Sequence, residues 1–131
     1  MEQQQYLIDT NAVVDYIGNK LPAEGMEFMN KLIDNIPFVS VVTKIEVLEF
    51  TTISKHYTLL KEFMSDANIF SLSNHIVDGC IELRKNYKIK LPDAIIAATA
   101  KVQNLTLITR NTKDFKRIVE IETLDPWYIS S

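Results

Sequence analysis

Short apolar runs recur along this chain between stretches with helical spacing. Tyr6-Leu7-Ile8 and Leu105-Thr106-Leu107-Ile108-Thr109 are the plainest, and residues 37–42, 68–72 and 119–123 read the same way. A strand with one wet face alternates apolar and polar residues, whereas a strand that is apolar throughout is covered on both faces. Covered strands alternating with helices imply a mostly parallel sheet, because parallel neighbours need a crossover connection, usually a helix. The expected fold class is therefore α/β, with a mostly parallel sheet of about five strands. Helices are expected over residues 22–34, where Met26, Met29, Leu32 and Ile33 share a face, from Thr43 onward, and over 55–65 with Leu59, Leu60 and Phe63. Two more follow, one capped by Ser73 or Asn74 and one from Pro92 to Asn104, a residue suited to a left-handed cap. A helical turn at 113–118 precedes the last strand, and Asp9-Thr10-Asn11 reads as a polar turn after the first.

At 131 residues, with 47% hydrophobic and 24% charged residues, the chain is expected to form one domain, residues 1–131, with a real core. No apolar run approaches the roughly 20 residues that span a bilayer. The polar start, Met-Glu-Gln-Gln-Gln, is unlike a secretory signal. Cys80 is the sole cysteine, so no intrachain disulfide is expected, which fits a reducing cytoplasm. Its apolar surroundings mark it as a small core residue. A cytoplasmic location without a membrane partner is the expectation. The three glycines, at 18, 25 and 79, form no phosphate-cradling loop. His56 and His75 sit in no zinc spacing and read as surface residues. No nucleophile elbow is present for serine chemistry.

The net charge is −3, yet nine of the fourteen basic residues lie between Arg84 and Arg117, a segment whose only acids are Asp93 and Asp114. Such a segment is either a solvated basic face or a surface for a polyanion. The acids raise the sharper question. Asp9 follows the first strand, Glu46 lies in the first turn of the helix after the second, Asp93 opens the helix before the fourth, and Asp114 follows the fourth. Ligands of open parallel sheets bind outside the carboxyl ends of the strands. Each acid also has a plain structural explanation. Asp9 suits a turn, Thr43-x-x-Glu46 a capping box, Asp93 the positive end of a helix dipole, and Asp114 a helix cap. Taken together they look like hard oxygen ligands, which repel one another unless protons or a cation neutralise them. Mg²⁺ binds few carboxylates directly and keeps several waters, so some of these acids would act through water. A phosphatase with Asp9 as nucleophile is disfavoured, because Asn11 stands where a second Asp is usual.

LIDTNAVVDY, VVTKIEVLEF, LPDAIIAATA and LITRNTKDF, in this order, resemble the motifs of the PIN-domain nucleases, above all the VapC-type toxins of toxin–antitoxin pairs. The likeness runs from Tyr6 to about Asp125. It implies a three-layer α/β/α sandwich and a metal-dependent endoribonuclease that hydrolyses RNA with a metal-activated water. By the same resemblance Asp9, Glu46, Asp93 and Asp114 match the acids that bind Mg²⁺ or Mn²⁺, with Asp9 and Asp93 the foremost ligands. Asn11, Thr109 and Asn111 match the polar positions that support them. Glu49 shares the helix face of Glu46 and competes for its place. Arg84, Lys85, Lys88, Lys90, Arg110, Lys113 and Lys116 are the candidate RNA contacts. The resemblance also implies an antitoxin partner and a homodimer. A PIN-domain nuclease of RNA processing without an antitoxin, and a non-catalytic PIN-like binding module, are the alternatives. The apolar residues around Ile45, Val47, Leu48 and Phe50, and around Leu59, Leu60 and Phe63, are either core or part of a groove for an antitoxin helix.

Overall fold

The computed structural model describes residues 4–49 and 54–129. In chain order the elements are β1 (Tyr6–Ile8), α1 (Thr10–Ile17), α2 (Ala23–Ile33), β2 (Phe38–Ser40), α3 (Val41–Glu49), α4 (Ser54–Asp66) and β3 (Asn68–Phe70). Then come α5 (Asn74–Asn86), α6 (Leu91–Val102), β4 (Thr106–Ile108), α7 (Thr112–Phe115), β5 (Thr123–Leu124) and a 3₁₀ turn (Pro126–Tyr128). The five strands pair in the order β3-β2-β1-β4-β5, every pair parallel.

Successive strand residues point to opposite faces, so adjacent apolar residues feed two cores. Leu7 and Leu107 join Ile76, Cys80 and Leu83 of α5, Ala94, Ile96, Ala97 and Ala98 of α6, and Phe115 of α7. Ile8, Val39 and Ile108 face the other way, onto Ala12 and Val13 of α1, Met29 of α2, Val47 of α3 and Leu60 and Met64 of α4. Helices thus cover both faces of the sheet, as the unbroken apolar runs require. Cys80 is buried in the first core. Val47, Leu60 and Phe63 are buried core residues, while Ile45 and Leu59 are exposed and Phe50 lies outside the described residues. No helix among the described residues is long and apolar enough to cross a membrane.

Three expectations are corrected. The stretch read as a polar turn opens a helix, α1, which Asp9 caps by accepting from the Thr10 N–H at 2.8 Å. α3 begins at Val41 rather than Thr43, with Ser40 Oγ accepting from the Val42 N–H at 3.1 Å. The last strand occupies Thr123–Leu124 rather than 119–123. Val119 is 82% exposed, which a strand covered on both faces would not allow. Ser73 caps α5 as expected, and Asn104 holds the left-handed conformation at φ 56° between α6 and β4.

Candidate active site

The chain leaves β1 towards β2 and β3, then crosses back to place β4 on the other side of β1. That reversal opens a crevice beyond the carboxyl ends of β1 and β4. Asp9 follows β1 directly, and Thr109, Arg110 and Asn111 follow β4. α6 delivers Asp93 to the same edge for a simple reason. A helix joined to the next strand by a short turn runs back across the sheet, so its first turn lies over the carboxyl end of that strand. The turn here is short because Asn104 is left-handed and the Leu105 N–H bonds the Ala100 carbonyl at 2.8 Å. Ala94, Ala97, Ala98 and Ala100 are all buried, and their small side chains let α6 pack between α5 and the sheet.

Asp9 is 5% exposed. One oxygen accepts from the Thr10 N–H; the other accepts from Thr109 Oγ1 at 2.8 Å and, less closely, from Asn11 Nδ2 at 3.4 Å. Asn11 Oδ1 accepts from the Arg110 N–H at 3.0 Å, and Thr109 Oγ1 accepts from the Asn111 N–H at 3.0 Å. The three supporting residues therefore form one network that ties α1 to the end of β4. Glu46 does not serve a capping box, since Thr43 lies inside the helix. Its Oε1 accepts from Thr10 Oγ1 at 2.6 Å, and Thr10 Oγ1 lies 3.2 Å from Thr43 Oγ1. Thr10 is a site residue that the sequence reading passed over, although it adjoins Asp9. Glu49 is exposed and does not line the cavity, so Glu46 alone of the two faces it.

Asp9, Glu46 and Asp93 line one cavity of about 330 Å³, with Thr10, Asn11, Asp15, Arg110 and Asn111. Asp93 and Asn111 form a shared wall with a second cavity of about 600 Å³, lined also by Arg84, Lys88, Lys90, Asp114 and Arg117. Asp114 thus sits in the neighbouring cavity, where it accepts from Asn111 Nδ2 at 3.0 Å. Burial pushes the Asp9 carboxyl up from 3.8 to about 6, with Asp93 and Glu46 adding repulsion against the Thr109 and Thr10 bonds that hold it down. Partial burial also raises Asp93, then Glu46 and Asp114, with Lys90 opposing them. Among the described residues no cation lies within ion-pair distance of Asp9, Glu46, Asp93 or Asp114. The carboxylates are thus left with charge that a hard cation would neutralise. No three of the described acidic, His or Cys groups converge into a ready-made metal cage. The donor set instead suits a cation that keeps much of its own water.

The basic residues divide. Arg84 Nε donates to the Ile89 carbonyl at 3.3 Å, and Arg117 donates to the carbonyls of Asp114, at 3.2 Å, and Lys88. These two arginines brace the segment between α5 and α6, leaving Lys88 and Lys90 facing the larger cavity. Lys85, Lys113 and Lys116 are exposed and line neither cavity. Arg110 is ion-paired with Asp15 at 3.2 Å. Asp15, buried on α1, was also passed over in the sequence reading.

A five-stranded parallel sheet, covered on both faces and carrying acids at its topological switch point, defines a class of α/β proteins with a polar site at one sheet edge. The sequence profile of the PIN domain matches residues 6–121, and the chain belongs to that family. It is 26% identical over 149 residues to Ribonuclease VapC2 of Methanocaldococcus jannaschii, an alignment covering 95% of this chain and 96% of that one. Among solved structures, a toxin–antitoxin complex from Klebsiella pneumoniae has a chain 33% identical, covering 95% of this chain and 100% of that one, with a TM-score of 0.73. VapBC2 of Rickettsia felis, solved with a promoter DNA fragment, gives 25% identity, a TM-score of 0.77 and coverage of 93% and 98%.

Proposed function

We propose that this chain is a divalent-metal-dependent endoribonuclease and the toxin of a toxin–antitoxin pair. One observation carries the reading: Asp9, buried at the end of β1, shares a cavity with Glu46 and Asp93, and none of the three has a cation within ion-pair distance among the described residues. Family membership and relatives named as VapC ribonucleases support it. Asp9 and Asp93 would hold Mg²⁺ or Mn²⁺, with Glu46 and Asp114 joining directly or through water. A bound cation of this kind supplies a water nucleophile at neutral pH and charge stabilisation at the phosphate. Thr109 and Asn11 fix the Asp9 carboxylate, and Thr10 fixes Glu46, so the donors are aimed before any ligand arrives. Lys88 and Lys90 offer positive charge beside Asp93, where the RNA backbone would lie next to the acids rather than on them.

The solved relatives that are toxin–antitoxin complexes support an antitoxin partner, and a homodimer belongs to the same proposal. Purified chain, free of any partner, is expected to cleave total cellular RNA with Mg²⁺ or Mn²⁺ and to stop on chelation. RNA left intact under both metals would defeat the reading.

A further inference from the structure

Asp15 is 5% exposed and has two partners, both on the same oxygen. Arg110 Nη1 lies 3.2 Å away, and the indole Nε1 of Trp127 donates at 2.9 Å. Arg110 comes from the end of β4 and Trp127 from the 3₁₀ turn near the C-terminus. Trp127 is itself pinned. The Pro126 carbonyl packs so closely on α2 that a Cβ at Gly25 would lie 2.1 Å from its oxygen, and Asp125 accepts from the Trp127 N–H at 2.9 Å. The backbone of Arg110 is held as well, by Asn11. Its side chain is therefore anchored at both ends, yet it remains 54% exposed and lines the cavity of Asp9, Glu46 and Asp93.

A guanidinium beside three carboxylates would ordinarily fall onto them, since charge-assisted Arg–carboxylate bonds are strong and often bidentate. Here its ion pair goes to Asp15 instead. We propose that Asp15, braced by Trp127, is a positioning residue that parks Arg110 on the rim of the acidic cavity. The tether keeps the guanidinium off Asp9, Glu46 and Asp93, leaving them open to a divalent cation. Arg110 has five N–H donors, and those not spent on Asp15 remain for a backbone phosphate of RNA. The proposal rests on the metal-dependent ribonuclease reading above.

Mn²⁺ binding to the whole chain, followed by calorimetric titration, tests it without any need for turnover. Asp15→Asn keeps the shape and an acceptor for Trp127 but releases Arg110. A guanidinium that occupies the cavity nine-tenths of the time raises the apparent Kd about tenfold. The double variant Asp15→Asn/Arg110→Gln should recover Mn²⁺ affinity close to wild type while RNA cleavage stays low, because the phosphate contact is gone. A merely structural Asp15 would lower the melting temperature, leave the Mn²⁺ affinity of the folded protein unchanged, and give the double variant nothing to recover. If Asp15→Asn does not fold, Trp127→Phe carries the test. It loses one donor to Asp15 and should bind Mn²⁺ measurably more weakly; wild-type affinity there overturns the tether. Wild type that binds Mn²⁺ no better than Asp15→Asn, both folded, overturns the tether alone. Wild type that neither binds Mn²⁺ nor cleaves RNA removes the ribonuclease reading and the tether with it.

Discussion

Asp9 caps α1 through the Thr10 N–H and at the same time faces the cavity, so one carboxylate serves the fold and the site. Its carboxyl is raised from 3.8 to about 6, chiefly by burial. A group raised on folding binds its proton more tightly in the folded state. Its contribution to stability is full below the unfolded value and is lost as pH rises through about 6. For Asp9 that loss is on the order of 3 kcal/mol between about pH 4 and 7. Asp93 is shifted in the same direction. Without metal, Asp9→Asn is therefore expected to be more stable than wild type at pH 7.5, with the gap closing near pH 4.5. Saturating Mn²⁺ should stabilise wild type, more at pH 7.5 than at pH 5, and leave the variant much less changed. Urea unfolding at both pH values, with and without Mn²⁺, reads all three effects. Parallel pH profiles for the two proteins would mean that Asp9 does not sit in a charged pocket.

The elements most legible in the sequence were those whose pattern has one cause. Tyr6-Leu7-Ile8 and the β4 run are apolar because both their faces are covered, and α6 announces itself by Pro92 at its start and Asn104 beyond its end. α1 was missed because its first residues, Asp9-Thr10-Asn11, are also what a turn prefers; the signal lay further on, in Ala12, Val13, Tyr16 and Ile17 at helical spacing. Glu46 lies in the second turn of α3 rather than the first, and in no capping box, because α3 begins at Val41; it still lines the cavity of Asp9 and Asp93. Asp15 and Trp127 carry no local signal, because what joins them is a contact across 112 residues. Packing between elements gives a pair of opposed predictions. Gly25→Ala drives a Cβ into the Pro126 carbonyl, so despite a better helix former it should destabilise by about 1–3 kcal/mol. Gly79→Ala meets only Val102 and Ala98 side chains, at 3.4 and 3.5 Å, and should stabilise α5 by about 0.5–1 kcal/mol. Denaturation midpoints that move the same way for both would contradict the packing of α2 on the 3₁₀ turn or of α5 on α6.

For the whole molecule, Asp9, Glu46 and Asp93 line one cavity and Lys88, Lys90 and Asp114 line its neighbour, the two meeting at Asp93 and Asn111. On the proposed reading, RNA would lie along Lys88 and Lys90 while a metal sits beside Asp9 and Asp93. On the same reading, expression of this chain alone in cells should arrest growth, and co-expression with a cognate antitoxin should restore it. Asp9→Asn should not arrest growth; arrest equal to wild type would separate toxicity from the acidic site. The most direct test lies at the wall between the two cavities. Asp93→Asn removes one carboxylate charge and keeps the shape of the α6 first turn, so the variant should fold with a melting temperature at or above that of the metal-free wild type. With Mn²⁺ and total RNA it should cleave at least about 100-fold more slowly, the loss of several kcal/mol expected when a metal's charge stabilisation is disabled. A folded Asp93→Asn that cleaves at the wild-type rate, still in a metal-dependent way, would contradict the assignment of Asp93 to the metal site and with it the shared-cavity account.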